Sequence, residues 1–171
     1  MSETFPPALA LLAARLLDAC RERRIMLATA ESCTGGLLAG CLTEIAGSSN
    51  VVERGFVTYS NEAKEEMLGV PGALIAARGA VSAEVARAMA EGALARSRAG
   101  LAISVTGIAG PGGGTAEKPV GLVHFAAARA DAATRHEERR FGDIGRGPIR
   151  TASVEAAIRL ALDALGAGGR G

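Results

Sequence analysis

The chain has 171 residues, 49% of them apolar and 22% charged, enough for one domain with a real core and too apolar for a disordered chain. Aromatics make up 3% and Trp is absent, so the core must come from Ala, Val, Leu and Ile, and base-stacking on single-stranded nucleic acid lacks its platforms. The net charge of +1 supplies no field toward DNA or an anionic membrane, so an anionic ligand must find its partners locally.

Pro6-Pro7 signals a helix start, and Leu9, Leu12, Leu16 and Ala19 follow at helical spacing until Arg21–Arg24. Residues 25–30 read as a short buried strand running into Glu31-Ser32-Cys33-Thr34-Gly35-Gly36. Residues 37–45 read as a helix stopped by Gly47-Ser48-Ser49-Asn50. A strand over 51–59 comes next, then a short helix capped by Ser60-Asn61 and running to Met67. Pro71, Gly72 and Gly79 punctuate 69–79, which is expected to be irregular. Ser82 caps a longer helix with Val85, Met89 and Ala93 on one face, and 101–106 is another buried strand. A glycine-rich loop spans 107–119. Residues 120–128 and 134–141 read as two strands turning near Ala130-Asp131, the charged second one at a sheet edge. Gly147-Pro148 opens the final helix, with Val154, Ile158, Ala161 and Leu165 inward, and 166–171 is expected to be a flexible tail.

No repeat or linker divides 1–171, so a single domain is expected. Strands alternating with helices and ending in a hairpin predict an α/β fold, a three-layer α/β/α sandwich with a mixed sheet. Cys20, Cys33 and Cys41 form no C-x-x-C pair, which argues against a disulfide framework or a zinc site and for a reducing cytosol. The first residues show no basic n-region or apolar h-region, and no apolar stretch reaches 18 residues, so neither a signal peptide nor a membrane span is expected.

Ligands of such sheets gather at loops leaving the carboxyl ends of strands, and three loops qualify. In the first, Ser32 lies between a strand and a helix start. The N–H groups of Cys33, Thr34 and Gly35 would be free there for a phosphate or an oxyanion. Ser32 or Thr34 as a plain helix cap is the bland alternative. Cys33 competes as nucleophile, since a helix N-terminus lowers a thiol pKa, or is simply a small buried hydrophobe. In the second loop, Asn61 as N-cap puts Lys64 in the first helical turn, the wrong end of the dipole for a cation. That position and partial burial favour the neutral amine, which can take a proton from a Ser hydroxyl. A solvated lysine paired with Glu65 or Glu66 is the other reading, and Tyr59 either bonds a ligand or covers the sheet.

The third loop, Thr106-Gly107-Ile108-Ala109-Gly110-Pro111-Gly112-Gly113-Gly114-Thr115, lacks the Walker ending and enters a strand, so it is neither a P-loop nor a dinucleotide fingerprint. Its N–H groups can form an anion nest, or it is a flexible connection. Ser104 and Thr106 share a strand face. Arg146 and Arg150, four apart at the final helix start, can meet a phosphate or be solvated. His124 and His136, the only histidines, give no Ser-His-Asp pattern.

Taken in order, Ala30–Gly36, Gly47-Ser48-Ser49, Arg54–Lys64, Gly79-Ala80-Val81-Ser82 and Thr106–Pro111 resemble the C-terminal domain family of the competence/damage-inducible protein CinA, over about residues 8–165. Stand-alone members of that family are nicotinamide-nucleotide amidohydrolases. The resemblance implies hydrolysis of nicotinamide mononucleotide to nicotinate mononucleotide and ammonia in pyridine-nucleotide salvage. It also implies an α/β/α fold, no metal and a homo-oligomer; no cofactor is expected, and composition, charge and cysteine usage lead to the expectation of a cytoplasmic protein without a nucleic-acid or membrane partner. By the same resemblance Ser32 is the nucleophile and Lys64 its base. Tyr59 and Thr106 line the site, Thr106 within the polar network around Ser32, and the loop with Gly107, Gly110 and Gly112 holds the nucleotide. Relatives often carry Gly-Asp-Arg directly before the final helix. Here Ile144-Gly145 separates Gly142-Asp143 from Arg146, which bears on a phosphate role for Arg146. A nucleotide-binding or regulatory module without turnover, and an amidase on another small amide, remain the alternatives.

Overall fold

The computed structural model describes residues 4–166. Five strands form one mixed sheet in the order β2 (Val52–Val57), β1 (Leu27–Glu31), β3 (Leu101–Gly107), β4 (Leu122–Arg129), β5 (Ala132–Arg140). The first three run parallel, and the last two turn back antiparallel. The central strands are almost continuously apolar because helices cover both faces. Leu27, Leu101, Ile103 and Val105 face a core shared with α1 (Pro7–Arg23), α2 (Leu37–Thr43) and α6 (Arg146–Ala164). Ala28, Ala30 and Ala102 face a second core under α3 (Asn61–Leu68), α4 (Gly72–Arg78) and α5 (Ala83–Ala95). The expected three-layer α/β/α sandwich with a mixed sheet is therefore the fold.

Small residues let this aromatic-poor core pack closely. Ala86 and Ala90 of α5 lie directly on Ala126 and Ala128 of β4. A Cβ on Gly92 would overlap the Leu68 carbonyl, so α5 crosses the end of α3 backbone to backbone. The edge strand β5 alternates charges that pair along it, Arg140 with Glu138 and Arg139 with Glu137, which blunts it against pairing with another chain. No helix among the described residues is long and apolar enough to cross a membrane.

Three expectations need correction. Residues 69–79 are not irregular throughout but contain α4. Pro71 caps it at φ −61°, a geometry that suits a helix start, and burial of Ile75 holds the turn down. Helix α3 is capped by Ser60 rather than Asn61: the Ser60 hydroxyl accepts from the Ala63 N–H, and Asn61 becomes the first helical residue. The strand before Ser32 begins at Leu27 and includes Glu31, two residues later than the apolar run starts, because Arg24 ends α1 in a left-handed conformation and Ile25 still bonds back to Cys20. The hairpin turns at Ala130-Asp131 as expected. Beyond Gly166, the expected tail lies outside the described residues.

Candidate active site

All three loops converge at the carboxyl end of the parallel strands. The chain leaves β1 at Glu31, continues its pairing by one bond from the Ser32 N–H to the Val105 carbonyl, then turns sharply through 33–36. Gly35 (φ +57°) and Gly36 (φ +100°) make that turn possible, since both conformations are disfavoured for side-chain-bearing residues. The helix therefore begins at Leu37, where the sequence places it, and the Ser32 turn lies outside it. Its end is not open to a ligand either. The buried Glu31 carboxylate accepts from the Leu38 N–H (2.8 Å) and the Ala39 N–H (3.1 Å), taking the place of a helix cap. What stays free beside Ser32 is local: the N–H groups of Cys33 and Thr34, like that of Gly36 further along the turn, have no backbone carbonyl acceptor among the described residues, and the Cys33 N–H meets only its own sulfur.

Lys64 reaches Ser32. Its Nζ lies 3.0 Å from Ser32 Oγ, 2.8 Å from the Thr58 carbonyl and 3.5 Å from the Ser60 carbonyl. The side chain is 1% exposed, and among the described residues no carboxylate pairs with it, so the reading with Glu65 or Glu66 does not hold. Burial holds the Lys64 pKa below its ordinary value. In the charged form Nζ donates to Ser32 Oγ and to the two carbonyls; in the neutral form two N–H bonds serve the carbonyls and the lone pair is left for the Ser32 hydroxyl. Cys33 goes the other way. Burial pushes its thiol up to about 11, so it is protonated at neutral pH, and the lowering expected from a helix N-terminus is absent because that terminus lies elsewhere. Cys20 and Cys41 are buried thiols within helices.

Above Ser32 sits a cavity of about 250 Å3 lined by Ser32, Cys33, Tyr59, residues 107–110, Gly112, Gly113 and Arg146. Arg146 closes one side, donating to the Gly110 carbonyl at 2.7 Å and to the Tyr59 hydroxyl at 3.0 Å. A larger cavity of about 650 Å3 shares Gly112 and Gly113 as a wall and is also lined by Arg140 and Asp143, but neither Ser32 nor Lys64 borders it. The smaller cavity, with Ser32 in its wall, is the chemically meaningful one.

Five expected residues are not in that lining: Lys64, which lies behind Ser32, and four others. Thr106 donates to the Ala80 carbonyl at 2.8 Å, so it ties β3 to the segment before α5 rather than bonding Ser32 or Lys64. Thr34 and Gly35 lie in the turn beneath, the Thr34 hydroxyl buried without a partner. Arg150 is turned inward, Nε to the Cys33 carbonyl at 3.2 Å and Nη2 to the Thr34 carbonyl at 2.9 Å, so it holds the loop instead of a phosphate. The two histidines bond each other, His124 Nδ1 to His136 Nε2 at 2.9 Å. Sequence reasoning gave no role to Glu31; an acid at the end of a buried strand just before a helix was the available signal. Among the described residues no three His, Cys, Asp or Glu side chains are grouped to hold a metal ion.

The family model described as the CinA C-terminal domain matches residues 9–165. The chain belongs to that family. The crystal structure of the competence/damage inducible protein CihA from Agrobacterium tumefaciens is 56% identical, superposes with a TM-score of 0.93 and covers 97% of this chain and 99% of its own. A competence-damaged protein (CinA) superfamily protein from Escherichia coli is 30% identical, with a TM-score of 0.86 over 96% of this chain and 93% of its own. A CinA-like protein from Synechococcus sp. (strain RCC307) is 51% identical over 150 residues, which are 87% of this chain and 36% of that protein. The chain thus spans about a third of the length of the curated relatives it matches. In this CinA C-terminal domain the Ser32–Lys64 pair is buried at the floor of the cavity, Lys64 behind Ser32.

Proposed function

We propose that this CinA C-terminal domain hydrolyses the carboxamide of nicotinamide mononucleotide to nicotinate mononucleotide and ammonia, with Ser32 as nucleophile and Lys64 as its base. The observation that carries the reading is the buried Lys64 amine 3.0 Å from the Ser32 hydroxyl with no acidic partner. Ser32 Oγ attacks the carboxamide carbon while its proton passes to Lys64 Nζ. The Cys33 and Thr34 N–H groups stabilise the oxyanion. The C–N bond then breaks, Lys64 returns the proton to the leaving nitrogen, and ammonia departs. Water attacks the acyl-enzyme, its proton goes to Lys64 and on to Ser32, and the acid is released.

The choice of a pyridine mononucleotide rests on the likeness of five ordered segments to the amidohydrolase family, and the exposed Arg146 head at the cavity mouth suits its phosphate. The same reading makes the protein a cytoplasmic homo-oligomer. Ammonia release from nicotinamide mononucleotide, nicotinamide and glutamine is the test. Turnover of the nucleotide alone, abolished in a folded Ser32→Ala variant, is expected. Full activity in Ser32→Ala with loss in Cys33→Ala would transfer the role to Cys33, and tight binding of the nucleotide without turnover would make the domain a binding module.

A further inference from the structure

Arg150 looked from the sequence like a phosphate ligand, yet both of its bonded donors face the chain. Its Nε and Nη2 grip two successive carbonyls, those of Cys33 and Thr34. Among the described residues no carboxylate shares this guanidinium. In a trans peptide the N–H points opposite to the C=O of the same unit. Fixing the Cys33 carbonyl therefore fixes the Thr34 N–H on the side away from α6. The unit before it is fixed in the same way, because the Ser32 carbonyl accepts from the Gly35 N–H at 3.0 Å and so sets the Cys33 N–H. These two N–H groups, the next along the chain from the nucleophile, have no backbone carbonyl acceptor among the described residues. The turn that carries them has two left-handed glycines; its backbone bonds hold the Ser32 and Thr34 carbonyls, from the Gly35 and Leu37 N–H groups, but no backbone donor holds the Cys33 carbonyl.

We infer that Arg150 is the positioning residue of the oxyanion hole, a planar clamp one turn into α6 that aims the Cys33–Thr34 peptide at the developing oxyanion. The inference rests on Ser32 being the nucleophile but not on which amide is cleaved. The planar fork matters: a lysine brings the charge and one donor but cannot bridge two carbonyls in one plane. The cation also lies behind the dipoles it orients, which adds to their pull on negative charge at no cost in reorganisation.

The experiment compares wild type, Arg150→Ala and Arg150→Lys with two readouts. The first is steady-state ammonia release from nicotinamide mononucleotide and from its dephosphorylated nucleoside, each variant checked for folding by its melting curve. The second is the rate at which a fluorophosphonate probe modifies Ser32, followed by intact mass, which needs the oxyanion hole and no amide. Arg150→Ala is expected to lose about 10²-fold in kcat with KM little changed, as for a misaimed catalytic group. The loss should be equal for both substrates, with a parallel loss in labelling. Arg150→Lys should recover only a small part, and added guanidinium ion should restore part of the Arg150→Ala loss. A rise in KM confined to the phosphorylated substrate, with kcat and labelling intact, would overturn the inference and return Arg150 to phosphate binding. Normal labelling in Arg150→Ala would overturn it as well. If wild type labels at Ser32 but releases no ammonia from the nucleotide, the substrate assignment fails while the labelling comparison still decides the clamp.

Discussion

The Ser32 turn and the glycine-rich loop face each other across one cavity, and they are built on opposite plans. Around Ser32 the charged side chains are tied inward: Glu31 to the start of α2, Arg150 to two carbonyls, Lys64 to three oxygens. Across the cavity, residues 111–117 are exposed, and the long-range ties stand at the loop's margins, Arg146 on the Gly110 carbonyl and Lys118 on the Arg78 carbonyl. Chemistry needs groups fixed to a fraction of an ångström in a low-dielectric setting, whereas a ligand wall needs only to approach closely. The contrast implies that substitutions on the Ser32 side strike rate and stability, while those on the glycine side strike affinity.

The largest effect belongs to Lys64. Lys64→Met should lower kcat by about 10²- to 10⁴-fold, the worth of a general base. The pH profile sharpens this. Only neutral Lys64 has a lone pair for the Ser32 proton, so kcat/KM must rise with pH through the Lys64 pKa. Burial places that pKa below the ordinary 10.5. An acid limb that persists in Cys33→Ala is expected; a profile without one would remove Lys64 from the base role.

Glu31→Gln comes next and tests the Ser32 side through stability. The amide oxygen can keep one of the two α2 N–H groups, but its NH2 then faces the other donor. Leaving a buried donor unmatched costs about 1–3 kcal/mol, read as a lowered denaturation midpoint. An unchanged midpoint would mean that the tie between strand and helix is ornamental, and the contrast would rest on Lys64 alone.

Arg146 stands on the boundary, exposed yet bonded to both sides of the cavity. Arg146→Ala should raise KM for a phosphorylated substrate about tenfold, near the worth of one charge-assisted hydrogen bond, with kcat little changed. A fall in kcat at constant KM would instead make it a brace for Tyr59.

Much of this was legible in the chain. The apolar runs of β1 and β3, the Ala130-Asp131 turn and the charged strand β5 follow from period and turn chemistry, and the mixed sheet follows from their order. Lys64 could be suspected because a cation in a first helical turn is misplaced unless it is neutral. Local pattern could not report the ties made across the fold. Arg150 reads as one of two arginines four apart, and only the crossing of α6 over the Ser32 turn separates it from Arg146. Cys33 reads as activated if a helix starts beside it; two left-handed glycines delay that helix to Leu37, and burial then dominates its thiol. Pro71 and Gly72 misled because residue types that punctuate loops here begin α4, while Gly69 alone ends α3.

The smallest effect is also the cleanest separation of stability from binding. Gly112 lies in the wall of the cavity, its φ is not left-handed, and a Cβ there would meet nothing within 4 Å. Gly112→Ala should therefore leave stability within about 0.5 kcal/mol of wild type, or gain slightly by narrowing the unfolded ensemble. Its neighbour Gly113 has φ +85°, so Gly113→Ala should lose about 1–2 kcal/mol to backbone strain, although its Cβ also finds room. If the wall approaches the substrate closely, the added methyl of Gly112→Ala raises KM at unchanged melting temperature. A Gly112→Ala variant with both quantities unchanged would show that the ligand does not rest on this stretch of loop, and the affinity side of the contrast would then fall to Arg146 and Gly110.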